Sequence, residues 1–450
     1  MATLALRAQK QPEQLDKKSG LAYKAVLALS VLYYARPEDV IPGLSVIPLA
    51  KIAGGIALLA LFFGVRGQRA VKKLPLEVKF MIAMLVQLTL TIPFAYWKGG
   101  AFQVVVNKFS KAVIVGYLVT LLVTSMAELK KLLWVQSAAL AFMTLASVVK
   151  PHHGRMGGVL GGVFENPNDL AINIALNWPL CFGFFLLADK AWKKALWAGG
   201  MFIMVVGVVL TYSRSGFLAI IVCGFVSLYQ FGLKGRRLHL VAVAGICSLL
   251  LPIAASAFGL YPTIWLKRME STVMGNIKGS YDNGSREARA ELLAMSLQDM
   301  AEHPFMGVGP GNFAVVTGTW RVAHNTYTEL GAEGGLPALF IFLLILARAF
   351  INLRRVSKSK AFKTDLELQI FTGAMWASCA AFVVGAAFSD TQYELFPYFM
   401  VAYTTALYHM ACVLPKVKEK NLEQAEKEGS RLGRQLNYGK TRPTEVAWTR

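Results

Sequence analysis

Thr211-Tyr-Ser-Arg-Ser-Gly216 sets one arginine among small hydroxyl side chains, between two apolar runs. An arginine at mid-bilayer costs at least about 2.5–3.5 kcal/mol, so Arg214 belongs at an interface or inside a polar cavity. Two more arginines, Arg286 and Arg289, stand at the start of a segment with helical spacing. Asp282-Asn-Gly-Ser285 reads as a turn with Ser285 as the helix N-cap; Leu293, Leu297 and Met300 then recur until His303-Pro304 ends the pattern. Within the helix that Ser285 would cap, neither arginine has a carboxylate three or four positions away. A helix start already carries positive partial charge, so two guanidinium forks there are suited to a phosphate or diphosphate. The same residues also fit a solvated basic face. Past them, Arg321-Val-Ala-His-Asn325 supplies a further cation and an imidazole, His324. With an ordinary pKa of about 6.5, histidine accepts a proton at neutral pH, and Glu329 or Glu333 is near enough in sequence to orient it.

Other patterns are structural. Gly307-Val-Gly-Pro-Gly-Asn-Phe313 lacks the Gly-Lys-Ser/Thr ending and the strand–helix context of a phosphate loop, and reads as a tight turn. Asn166-Pro167 with Asp169 in the first turn is helix-start grammar. Ser389-Asp390 stands at the end of an apolar run, where an acid can simply be solvated. His152-His153 are adjacent, which is poor geometry for one metal, and no second cluster completes a site, so no metal is expected. The five cysteines fall in or at the ends of apolar runs without a Cys-x-x-Cys, which supports neither a disulfide framework nor a zinc ribbon.

These residues hang on a very apolar chain. Of 450 residues, 55% are hydrophobic and only 16% charged, a balance that fits a polytopic membrane protein and not a single soluble domain. The fold class expected is all-α, with about twelve transmembrane helices at 21–35, 44–65, 78–96, 109–125, 131–149, 169–188, 193–211, 215–232, 238–258, 335–352, 367–388 and 394–414. That divides the chain into a tail over 1–20, nine spans over 21–258, a large loop over 259–334, three spans over 335–414 and a tail over 415–450. The net charge of +21 is spread over short loops between apolar runs, which argues for membrane topology and against nucleic acid. The basic loops fall on one side together with both termini, and the positive-inside rule makes that side cytoplasmic. Arg214, residues 150–168, the long loop and Ser389-Asp390 then face outward.

Gly162-Val-Phe-Glu-Asn-Pro-Asn168, Thr211–Gly216, the Arg286/Arg289 helix leading to His303–Phe313, and His324-Asn325 with Gly334-Gly-Leu-Pro337 resemble, in order and separation, the O-antigen ligase family of bacterial membrane glycosyltransferases. The likeness runs over roughly residues 150–400 and fits polymerases of the same superfamily as well. It implies a multi-pass protein of the bacterial inner membrane whose site faces the periplasm. It implies transfer of a glycan from an undecaprenyl-diphosphate carrier to an acceptor hydroxyl, in the ligases that of lipid A–core, without cofactor or metal and with inversion. Carried over by motif, Arg214, Arg286, Arg289 and Arg321 would bind the diphosphate, with Arg214 and Arg286 also catalytic. His324 would assist proton removal. Asp390 resembles an outer-face aspartate of some ligases, and Asn166 and Asn168 join the candidates by their motif. A non-enzymatic polysaccharide transporter or flippase is the reading from another class. It is disfavoured because the polar residues gather at one face instead of tracing a path.

Overall fold

The computed structural model describes residues 20–36, 47, 49–64, 74–150, 155–159, 162–235, 283–417, 419 and 423. Among them every regular element is helical. The long helices are α1 Gly20–Ala35, α2 Leu49–Gly64, α3 Leu76–Thr91, α4 Lys98–Leu122, α5 Met126–Val149, α6 Pro167–Leu187, α7 Ala191–Leu210, α8 Arg214–Ser227, α9 Asn283–Glu302, α10 Thr326–Ser357, α11 Leu366–Ala386 and α12 Phe396–Tyr408. Among the described residues, eight helices are long and apolar enough to cross a membrane: α3 through α8, with α8 extended to Leu233, and then α10 and α11. The chain is a multi-pass membrane protein. Helix α1 and Leu49–Ala60 of α2 are apolar but shorter. The expected span 238–258, most of the expected tails, and His152-His153 lie outside the described residues.

Local chemistry starts these helices. Ser125 and Glu128 form a reciprocal capping box before α5. Asn166 accepts the amide of Asn168, with Pro167 at the first helical position, as its sequence predicts. Ser213, Asn325 and Asp365 cap α8, α10 and α11. Helix α9 begins at Asn283, so the expected Ser285 cap lies inside the helix.

Helices α6 and α11 form the enclosed centre, with α5, α7 and α8 against α6. Small residues allow the closest approaches: a β-carbon on Gly216 would overlap Ala171, and one on Gly385 would lie 3.1 Å from Ile172. Helix α3 is held to α10 by a buried ion pair, Arg348 to Glu77 at 2.8 Å, with Asn352 donating to the same carboxylate at 3.0 Å. Helix α10 breaks at Gly335 (φ 75°, ψ 171°), where Leu336 donates its amide to Pro304 and a β-carbon would overlap the Phe305 carbonyl. Thr326–Gly334 is thus a short helix of its own, aimed differently from the apolar length that follows.

Helix α9 packs on this short helix through Leu292 and Ser296, whose hydroxyl donates to Thr328 at 2.9 Å. Of the residues whose spacing marked this helix, Met300 packs toward Gly331, while Leu293 and Leu297 are 36% and 45% exposed. The docking face is set by a fit to Thr328 and to the kink, which one-helix periodicity does not register.

Candidate active site

His324 and Asp390 meet where the starts of α6, α8 and α10 come together with the connection between α11 and α12. His324 immediately precedes the α10 cap and holds a left-handed backbone (φ 54°). A non-glycine residue there is strained, which clusters at functional sites. The strain is held by neighbours. Asn325 accepts the amides of Tyr327 and Thr328 at 3.0 and 3.3 Å. Thr326 donates its hydroxyl to the Ser389 carbonyl at 2.6 Å and receives the Thr391 amide at 3.0 Å. Asp390 lies between those two contacts, so the lacing of Thr326 to Ser389 and Thr391 turns Asp390 toward His324.

The result is an imidazole facing a carboxylate. His324 Nδ1 lies 3.8 Å from Asp390 Oδ1; both side chains are about a quarter exposed, yet these two atoms are buried and have no hydrogen-bond partner. Buried orphan polar atoms are rare and call for a reason. A separation of 3.8 Å is too long for a hydrogen bond and short enough to close when a substrate orders the pair. Glu329 and Glu333 do not orient the histidine. Glu329 accepts the Ala323 amide at 2.8 Å and the Gln392 amide at 3.2 Å; Glu333 accepts the Phe313 amide at 3.1 Å and the Tyr393 hydroxyl at 2.9 Å. Both carboxylates are buried, and they brace the loops on either side of His324.

Three arginines stand within electrostatic range of His324. Burial first, and then the charges of Arg289, Arg155 and Arg321, hold the His324 pKa down at about 4 instead of 6.5. The Asp390 carboxyl goes the other way, to about 6, because burial outweighs the help of its own amide. Arg289 and Arg321 were expected at this site. Arg155 was not: it donates to the Thr211 carbonyl at 3.0 Å and to Asn168 Oδ1 at 2.6 Å. Asn168 also receives the Ser213 hydroxyl at 2.9 Å, and Ser213 touches Ser215 at 2.9 Å. Those serines bracket Arg214, which is half-buried at the first position of α8. Tyr212 just before it takes a positive φ of 48°, which turns the chain so that Ser213 can both cap α8 and reach Asn168. Asp169 is tied in through Ser389, whose hydroxyl donates to it at 2.7 Å.

Asn166 is occupied as a helix cap and Asn168 as the receiver of Arg155 and Ser213. Arg286 precedes Arg289 by three residues on α9, and its side chain lies outside the described residues. Gly307–Phe313 is the tight turn expected: Gly307, Gly309 and Gly311 have positive φ, and the amides of Val308 and Gly309 bond to Ala332 and Glu333 carbonyls instead of facing a ligand. No cluster of three metal-ligating side chains occurs among the described residues. Arg155 was within reach of sequence reasoning, because it is a cation in a segment expected to face outward, ahead of the Asn166 cap, the criterion already applied to Arg214.

Comparison with known proteins matches one stretch of the chain. Residues 199–343 match the family model described as O-Antigen ligase, a stretch that includes Arg214, Arg286, Arg289, Arg321 and His324. No curated protein matches the chain. Among solved structures, a chain from "Structural coordination of polymerization and crosslinking by a peptidoglycan synthase complex" is 18% identical with a TM-score of 0.40, over 75% of this chain and 96% of that one. Residues 199–343 are thus similar to the O-antigen ligase family.

Proposed function

We propose that the protein transfers a glycan from undecaprenyl diphosphate to an acceptor hydroxyl, that of lipid A–core, at the periplasmic face of the inner membrane. The observation that carries this is the orphaned His324–Asp390 pair, with three arginines within electrostatic range of the histidine. In the transfer, the acceptor oxygen attacks the anomeric carbon from the face opposite the diphosphate. The bond from that carbon to the phosphate oxygen breaks, and its electron pair leaves with the diphosphate. Arg289, Arg155, Arg321 and Arg214 stabilise that charge, since guanidinium groups stay protonated in a low-dielectric site. The acceptor proton goes to His324 Nε2, because Nδ1 faces Asp390, and the carboxylate then stabilises the imidazolium.

The low proton affinity of His324 without substrate fits this order of events. The arginines that depress it are the groups a diphosphate neutralises, so donor binding raises the imidazole pKa toward neutrality. The base becomes competent when the leaving group is in place, which limits idle hydrolysis.

Transfer is favoured over transport because His324, Asp390 and the arginines gather at helix ends and one connection instead of tracing a path through the spans. Within α6 the asparagine nitrogens bond to the helix, and Asn173 Oδ1 and Asn177 Oδ1 are buried without a partner among the described residues. Asn173 donates to the Asp169 carbonyl and Asn177 to that of Asn173, at 2.9 and 2.8 Å. Reconstitution of the full chain with lipid-linked donor and lipid A–core tests the proposal. Labelled acceptor is expected. Growth of carrier-linked chains without acceptor labelling would replace ligase by polymerase, and donor translocation without transfer would sink both.

A further inference from the structure

Helix α4 carries a polar stripe that the reaction above does not use. Gln103, Asn107, Lys108 and Lys111 are all exposed on a helix otherwise apolar enough to span a membrane. Lys108 and Lys111 are its eleventh and fourteenth residues of twenty-five, hence about 15 and 20 Å along the axis from Lys98. The partner of Lys108, Glu394, lies on the connection between α11 and α12, so these lysines stand near the end of the apolar length, at the level where lipid headgroups lie. The backbone widens into a π-turn over Val105–Phe109, a local irregularity common at functional sites.

The charges there are unbalanced. Lys108 pairs with Glu394 at 3.4 Å and remains 57% exposed. Lys51, exposed on α2, which packs against α4, stands within electrostatic range of Lys111, as does Glu394. Lys108 and Lys111 thus share Glu394 while Lys51 stands within range of Lys111, and neither Lys51 nor Lys111 makes an ion pair among the described residues. The patch adjoins the reaction centre: Glu394 follows Asp390 by four residues, and Phe109 beside Lys108 packs on Tyr393 with ring centroids 6.5 Å apart.

We propose that Lys51, Lys108 and Lys111, with Gln103 and Asn107, form a second anion site, open to the bilayer, that holds the phosphate-bearing headgroup of the acceptor lipid. A phosphate monoester or diphosphate matches the surplus of positive charge, and acyl or isoprenoid chains stay in the surrounding lipid while the headgroup lies in the groove. The naming of an acceptor rests on the transferase reading; the anion site does not.

The full chain in detergent, probed by native mass spectrometry with phosphatidylglycerol and phosphatidylcholine, tests the site without activity. We expect phosphatidylglycerol to be retained over phosphatidylcholine, and Lys51→Gln/Lys111→Gln to weaken its retention about tenfold. That variant leaves the Lys108–Glu394 pair intact, and an unchanged thermal midpoint shows that it folds. Equal retention by variant and wild type overturns the site. Complete displacement by millimolar inorganic phosphate overturns a lipid as its ligand. In reconstituted transfer, the same variant raises KM at least fivefold for whichever acceptor the wild type uses, lipid A–core or a second lipid-linked glycan, and changes donor KM less than twofold. An unchanged acceptor KM with active wild type overturns the acceptor assignment. A wild type inactive with both acceptors sinks the transferase reading and leaves the lipid-retention result standing.

Discussion

Asp390→Asn tests the centre of the mechanism because it keeps shape and removes one charge. In the native site the carboxylate oxygen lies 3.8 Å from His324 Nδ1. When the imidazole takes the acceptor proton, two unit charges face each other at that distance. With an effective dielectric of about 20 their attraction is about 4 kcal/mol, which corresponds to roughly a thousandfold in rate if all of it is felt at the transition state. Solvent at this partly open pair reduces the figure, so we expect kcat to fall about 100- to 1,000-fold with donor KM within about threefold. The pH dependence supplies a second readout. The Asp390 pKa is raised to about 6, so the carboxylate is present above that pH and wild-type turnover falls as pH drops through it. The variant loses that limb. Stability runs in the opposite sense. A carboxyl whose folded pKa is raised favours the protonated native state, and this contribution is lost as pH rises through about 6. Asp390→Asn therefore unfolds at a higher temperature than wild type at pH 8, with the difference vanishing near pH 4. Turnover rates from pH 5 to 9 with thermal unfolding of both proteins decide the matter. A variant within threefold of wild-type kcat, or one that keeps the limb near pH 6, refutes the pairing.

Further expectations concern the arginines and the packing that positions them. Arg289→Gln removes the largest charge acting on His324, so its pKa rises from about 4 by about one unit, followed by imidazole NMR; an unmoved titration detaches Arg289 from the site. Arg214→Lys, Arg286→Lys and Arg289→Lys keep charge but lose the bidentate fork, and each is expected to lose at least about tenfold in kcat/KM while folding normally. Gly216→Ala places a β-carbon into Ala171 and costs about 1–3 kcal/mol by denaturant unfolding, with turnover falling as Ser213 is displaced from Asn168. Incubation with EDTA leaves transfer unchanged; inhibition reversed by one divalent ion contradicts a reaction run on arginines alone.

Much of the architecture was legible in local pattern. Apolar lengths give the helices, and Asn166-Pro167 and His303-Pro304 mark where one starts and another stops, because capping and periodicity act within a turn or two of the chain. The same reach explains the errors on α9: its periodicity was readable, but which side docks depends on Ser296 meeting Thr328, thirty-two residues away. Composition and charge likewise determine a membrane protein and concentrate attention on Arg214, Arg289, Arg321 and His324, since an arginine in an apolar chain must have a polar reason to be there.

The partner of the histidine was decided only in three dimensions. Glu329 and Glu333 are its neighbours in sequence, but a helix turns them into the buried braces of Ala323 and Phe313, while Asp390 arrives from another connection on the hydroxyl of Thr326. Arg155 reaches the site by the same kind of route, through Asn168 and the Thr211 carbonyl, once Gly216 has let α8 close on α6. Sequence determines which side chains can carry the charge and the proton. Their meeting depends on the packing of helix ends far apart in the chain, which no local pattern encodes.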